Sequence, residues 1–168
     1  MKRIPILLLL LTLLGCSDGD LQIETLDFDS VSIELCEESA TLDTEIFFKR
    51  NGSEALILSL QSDLLKNEAS TETITSTIPG QSQLTYRVFN ENITSDYFCA
   101  DFPPASPVVV EEIEADAGQV LVTTVAVDET NFQHTIQLLD INLTNENGER
   151  ITDLSINEFG EITTTISN

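Results

Sequence analysis

The side chains able to carry out covalent or acid–base chemistry are few. His134 is the single histidine. A catalytic relay or an imidazole-based metal site would have to be built around it alone, and it falls in a strand pattern, where it reads as a partly exposed strand residue. No G-x-S-x-G, S-x-x-K, H-E-x-x-H or Gly-rich phosphate loop occurs, and the seven glycines are scattered. Carboxylates are plentiful, with 29 Asp and Glu. Two of them placed across a sugar could hydrolyse a glycan, but with so many, proximity along the chain selects none. Glu111, Glu112 and Glu114 follow Val108-Val109-Val110 and read as a solvated strand edge. Calcium requires oxygen ligands. Asp140-Ile141-Asn142 begins like a D-x-[DN] loop, yet Asn145 stands where the sharp-turn glycine belongs. Asp27 with Asp29, and Asp128 with Glu129, have no better claim. No catalytic residue, cofactor or metal ligand is assigned on this basis.

The N-terminus is more informative. Met1-Lys2-Arg3 carries two positive charges and no acid precedes Asp18. Ile4 to Leu14 is apolar except for Pro5 and Thr12. As a helix these eleven residues would span about 16 Å, roughly half a bilayer's hydrocarbon core, which suits a cleaved signal peptide and not a membrane span. The stretch ends in Leu13-Leu14-Gly15-Cys16. This resembles the lipobox of bacterial lipoproteins: an aliphatic residue, a spacer, a small residue and a cysteine. The resemblance covers about the first twenty residues. It implies that residues 1–15 are a signal peptide removed by signal peptidase II and that Cys16 is acylated. Two or more acyl chains give stable membrane anchoring. Ser17-Asp18-Gly19-Asp20 would then be a short tether. It is similar to the acid-rich stretch that sends lipoproteins to the cell surface in some Gram-negative bacteria. The expected address is the cell envelope, on the outer membrane and exposed at the surface.

Beyond the cut, residues 16–168 hold five Lys and Arg against all 29 acids, a formal charge of −24. Such a field repels phosphate backbones and excludes nucleic acid as a partner. The acids are spread along the chain, as solubility demands.

From Leu21 onward the apolar pattern has period two. Val31–Leu35 and Leu84–Val88 alternate strictly. Thr71–Ile78 is rich in Thr and Ile, and Val120–Val127 is nearly continuous, as in a strand covered on both sides. His134–Leu143 changes phase after Leu138, which predicts a β-bulge. Asn51-Gly52, Pro79-Gly80 and Asn147-Gly148 mark turns between Glu45–Lys49 and Glu54–Leu60, Thr71–Ile78 and Ser82–Asn90, and His134–Leu143 and Arg150–Ile156. Ser62–Ala69 reads as a possible helical turn. The prolines at 103, 104 and 107 fit a stiff connector between sheets. The expected fold is all-β over residues 21–168, an antiparallel sandwich of immunoglobulin-like or similar type with about nine to eleven short strands.

With Cys16 given to lipid, Cys36 and Cys99 remain. In an exported chain two remaining cysteines imply one disulfide. The expected function is that of a non-enzymatic binding or accessory module, held to the membrane through Cys16, with a protein or glycan partner. The alternatives are a carbohydrate-active enzyme using paired carboxylates and a purely structural envelope component.

Overall fold

The computed structural model describes Leu26 and residues 28–145, 147–148, 150–151 and 157–166. Cys16, the leader, the tether and Asp27 lie outside the described residues. The order is β1 (Ile46–Asn51), β2 (Glu54–Ser59), β3 (Ile74–Ile78), β4 (Gln83–Phe89), the one-turn helix α1 (Asp96–Cys99), β5 (Val109–Ala126), β6 (Asn131–Thr144), β7 (Arg150–Ile151) and β8 (Glu158–Thr165). Every strand pairing is antiparallel.

These strands form one strongly curled sheet, a half-barrel. The curl comes from β5 and β6, which are long enough to belong to two arms at once. The first half of β5 pairs with β4, from Val109↔Phe89 to Glu114↔Thr85; its second half pairs with β3, from Gly118↔Ile78 to Val122↔Ile74. β6 likewise pairs with β8 along its first half and with β7 at its end. An all-β antiparallel fold is what the period-two pattern predicts. The strands of both arms run through one curled sheet, and two separate facing layers are not shown.

The corner has a specific construction. Ala117 pairs with Asn142 and Gln119 with Leu139, so Gly118 faces two residues of β6, Asp140 and Ile141. Asp140 adopts φ 54°. Between Ala115↔Leu143 and Ala117↔Asn142 the extra residue is Asp116, on β5. An extra residue in a strand reverses which side chains face inward. Hence β5 buries Ile113 and Ala115 before the corner, then Val120, Val122 and Thr124 after it. β6 buries His134, Ile136 and Leu138, then Ile141 and Leu143. The phase change read in His134–Leu143 is this bulge, except that Leu139 turns out to solvent.

The concave face holds the main core, including Phe47, Leu56, Leu58, Leu84, Tyr86, Val120, Val122, Ile136 and Phe159, with Leu26 and Phe28 packed into it. A smaller cluster of Ala55, Phe89 and Ile93 lies apart from it, with Tyr97 and Phe98 packed against it. Phe98 stacks on Phe48 with ring centroids 4.4 Å apart, and Tyr97 meets Phe89 edge-on at 4.9 Å. The Cys36–Cys99 disulfide, with Cα atoms 5.1 Å apart, ties α1 to the N-terminal segment. The expected pairing is therefore the one formed.

Several local expectations change. Val31–Leu35 is not a strand; Glu34 alone bridges to Phe48. Its alternation serves one face packed on the core, with Val31, Ile33 and Leu35 against the main cluster. Eight strands are seen among the described residues, because residues 120–126 are the end of the long β5 and not a strand of their own, with Val127 just beyond it. β5 is covered on one face only: Val125 is exposed. Ser62–Ala69 forms no helix, and the helical turn sits at Asp96–Cys99 instead. Of Arg150–Ile156, Arg150 and Ile151 form β7, and residues 152–156 lie outside the described residues.

Candidate functional site

The two ends of the curled sheet, β1 and β8, are bridged by the N-terminal segment. Glu34 pairs with Phe48 of β1, and Ala40 pairs in parallel with Thr164 of β8. Along this seam lies a cleft of about 630 Å³ lined by Asp29–Ile33, Lys49, Asn157, Glu158, Gly160 and Glu161. That volume is within the range of small-molecule sites.

Lys49 is its distinctive residue. It follows Phe47 by two positions on β1, so the strand's alternation turns both side chains inward. Lys49 is 2% exposed. Its Nζ donates to the Phe28 carbonyl at 2.8 Å and lies 5.6 Å from the centre of the Phe159 ring. Burial pushes its pKa below the ordinary lysine value, and the charges of Asp29 and Glu158 oppose that shift. An ammonium has three donors; among the described residues Phe28 supplies the one acceptor. The arrangement can hold an anionic or acceptor group beside the ammonium, with carboxylates around it.

Gly160 shapes the wall. Gln137 pairs with Glu158 and Ile136 with Gly160, which makes Phe159 an extra residue on β8. Gly160 takes φ 137°, and a Cβ there would stand 3.0 Å from two side-chain atoms of Ile33. Glycine lets the N-terminal segment close on β8 while the cleft stays open beside it.

Residues singled out from sequence lie elsewhere. His134 is fully buried, which corrects the expectation of partial exposure. Its Nδ1 meets Thr124 Oγ1 at 2.8 Å and its Nε2 meets Thr164 Oγ1 at 2.8 Å. Thr164 Oγ1 donates to Asn67 Oδ1 at 2.7 Å. With that proton committed, Thr164 accepts from Nε2–H, and Nδ1 accepts from Thr124. The ring is thus the neutral Nε2–H tautomer, and burial pushes its pKa below the usual histidine value. The same alternation puts His134 on the face of Phe132, Ile136 and Leu138 and sets Gln133, Thr135 and Gln137 on the other, so the signal for its burial lay in the strand's own pattern.

Glu112 pairs with Arg87 across β4 and β5, and Glu114 is opposite Thr85. Asp140 is the bulge residue, while the Asn142 amide donates to Asp116. Asp128 accepts from the backbone and side chains of Thr130 and Asn131 in the β5–β6 turn. Those hydrogen bonds, the Asn131 amide first, hold its pKa down to about 2. Among the described residues no group of three His, Cys, Asp or Glu side chains is placed to hold a metal ion.

Of the acids considered, only Asp29 reaches the cleft. Nothing in the residues next to Lys49 marks it as a site residue. Its one available signal is the phase it shares with Phe47 in a chain with few basic residues. Comparison with protein-family models, with curated proteins and with solved structures gives no match.

Proposed function

We propose that this protein is an exported, lipid-anchored binding or accessory module of the bacterial cell envelope. Cys16 holds it to the outer membrane, and the two arms of its curled sheet serve as the layers of a sandwich-like domain presented at the surface. The observation that carries this reading is the Cys36–Cys99 disulfide. It removes two of the three cysteines from consideration and leaves Cys16, at the end of the lipobox-like stretch, as the one to be acylated. Disulfides persist in oxidising compartments outside the cytoplasm, which agrees with an exported chain. A binding role is favoured over catalysis because His134 is enclosed between two threonines and Glu112 is engaged by Arg87. Metabolic labelling of bacteria expressing the full chain with an alkyne palmitate analogue tests the anchor. Label is expected on the wild type, and Cys16→Ala should lose both label and cleavage. Recovery of an unlabelled wild-type protein cut at the same place would overturn the proposal.

A further inference from the structure

We infer that the seam cleft binds a small cationic zwitterion, a molecule bearing one carboxylate and more than one ammonium, of which a diamino acid is the simplest form. The inference rests on the binding-module reading and names the ligand class of its site.

Three observations carry it. The first is the cleft itself, about 630 Å³ between the segment Asp29–Ile33 and the Asn157–Glu161 stretch of β8. The second is Lys49. It is a buried cation on the cleft wall with one hydrogen-bond acceptor among the described residues, the Phe28 carbonyl. Its two further N–H donors call for an acceptor, and a ligand carboxylate provides one with matching charge. The third is the rest of the lining. Asp29 and Glu158 bring their carboxylates to the same space; Glu161 also lines it, while its carboxylate accepts from Gln133 Nε2 at 2.8 Å and from Thr135 Oγ1 at 3.2 Å. None of the three acids lies within 4 Å of Lys49 as an ion pair, although Asp29 and Glu158 act on its charge. With Lys49 they leave the lining with a formal charge of −2.

A simple anion would meet this net repulsion, and a simple amine would leave the Lys49 donors unanswered. A ligand with a carboxylate for Lys49 and ammonium groups for the acids satisfies both. Ser30, Ser32 and Asn157 add neutral hydrogen-bonding groups at the rim. The wider field of the chain, with 29 acids, draws cationic molecules toward the site and repels anionic ones.

Isothermal titration of the purified full chain with L-lysine, L-alanine, acetate and butylamine tests the inference. L-Lysine should bind most tightly, L-alanine more weakly, and acetate and butylamine least. Lys49→Met should weaken L-lysine binding about ten- to a hundredfold, the loss of one charge-assisted hydrogen bond. Glu158→Gln, at an exposed position that leaves the core untouched, should weaken it about two- to fivefold. If Lys49→Met does not fold, Glu158→Gln and Asp29→Asn decide the matter. The inference is overturned if L-lysine gives no binding, if butylamine binds as well as L-lysine, or if the folded variants bind like wild type. Absence of binding in protein that carries acyl label at Cys16 overturns the ligand class and leaves the anchor standing; absence of label overturns the anchor whatever the titration shows.

Discussion

Gly118→Ala should be among the most damaging single-methyl changes in this protein. Gly118 is the one residue of β5 that faces both Asp140 and Ile141. It adopts φ 141°, a conformation that L residues rarely take. A Cβ there would lie 2.5 Å from Ile141 Cδ1, 3.1 Å from Ile141 Cα and 3.3 Å from the Leu139 carbonyl oxygen. The first atom can swing away. The other two are backbone, so β6 itself must move. Backbone strain of about 1–3 kcal/mol and crowding of about 1–3 kcal/mol add to roughly 2–6 kcal/mol. For a domain of this size that is roughly 5–20 °C in Tm. Urea denaturation followed by circular dichroism measures it, with an unchanged slope indicating that stability alone has altered. Gly80→Ala is the control. Gly80 has φ 116° with open space around it, so it reports strain without crowding. A Gly118→Ala protein within about 0.5 kcal/mol of wild type would refute the corner as the origin of the curl. A loss no larger than that of Gly80→Ala would refute the crowding.

Replacing Cys36 and Cys99 by Ala should cost about 4 kcal/mol for a disulfide spanning 63 residues, read from the urea midpoint, with a small loss contradicting the chain-entropy account. His134 is held neutral by burial, so the native state gives up its proton uptake below the unfolded-state value while the unfolded chain protonates. Stability should therefore fall as pH drops from 7 toward 5.5, with a slope of up to about 1.4 kcal/mol per pH unit from this one group. His134→Gln should remove that part of the slope, and an unchanged slope would exclude His134 as its source. Asp128 should titrate at about 2 in a carboxyl-carbon NMR titration. Its stabilising effect on the β5–β6 turn is present above the ordinary aspartate range and lost as pH falls through that value, and Asp128→Ala should loosen the amides of Thr130 and Asn131 in hydrogen exchange.

Much of the fold follows from local pattern. Asn51-Gly52 predicts the β1–β2 hairpin, and the strands close on Asn51↔Glu54 with Gly52 at φ 62°. Pro79-Gly80 marks the end of β3 correctly, but β3 and β4 do not pair with each other. They lie one after the other along β5. Nothing in the dipeptide distinguishes a hairpin from that arrangement, because strand partners are chosen by the sheet as a whole.

The candidate site was legible only in part. Asp29 stood among many equivalent acids, and Lys49 looked like an ordinary strand residue. By itself the sequence determined the class of fold, the strand phase and the bulge in β6, and it pointed to the Cys36–Cys99 pairing that the structure forms. The first three depend on neighbours along the chain. Only the tertiary structure decided that β5 spans both arms, that Thr124 and Thr164 are the residues that enclose His134, and that Lys49, Asp29 and Glu158 line one seam. The first two depend on which strands become neighbours and the last on the two ends of the sheet being brought together, and period-two alternation carries no information about which distant edge a strand will meet.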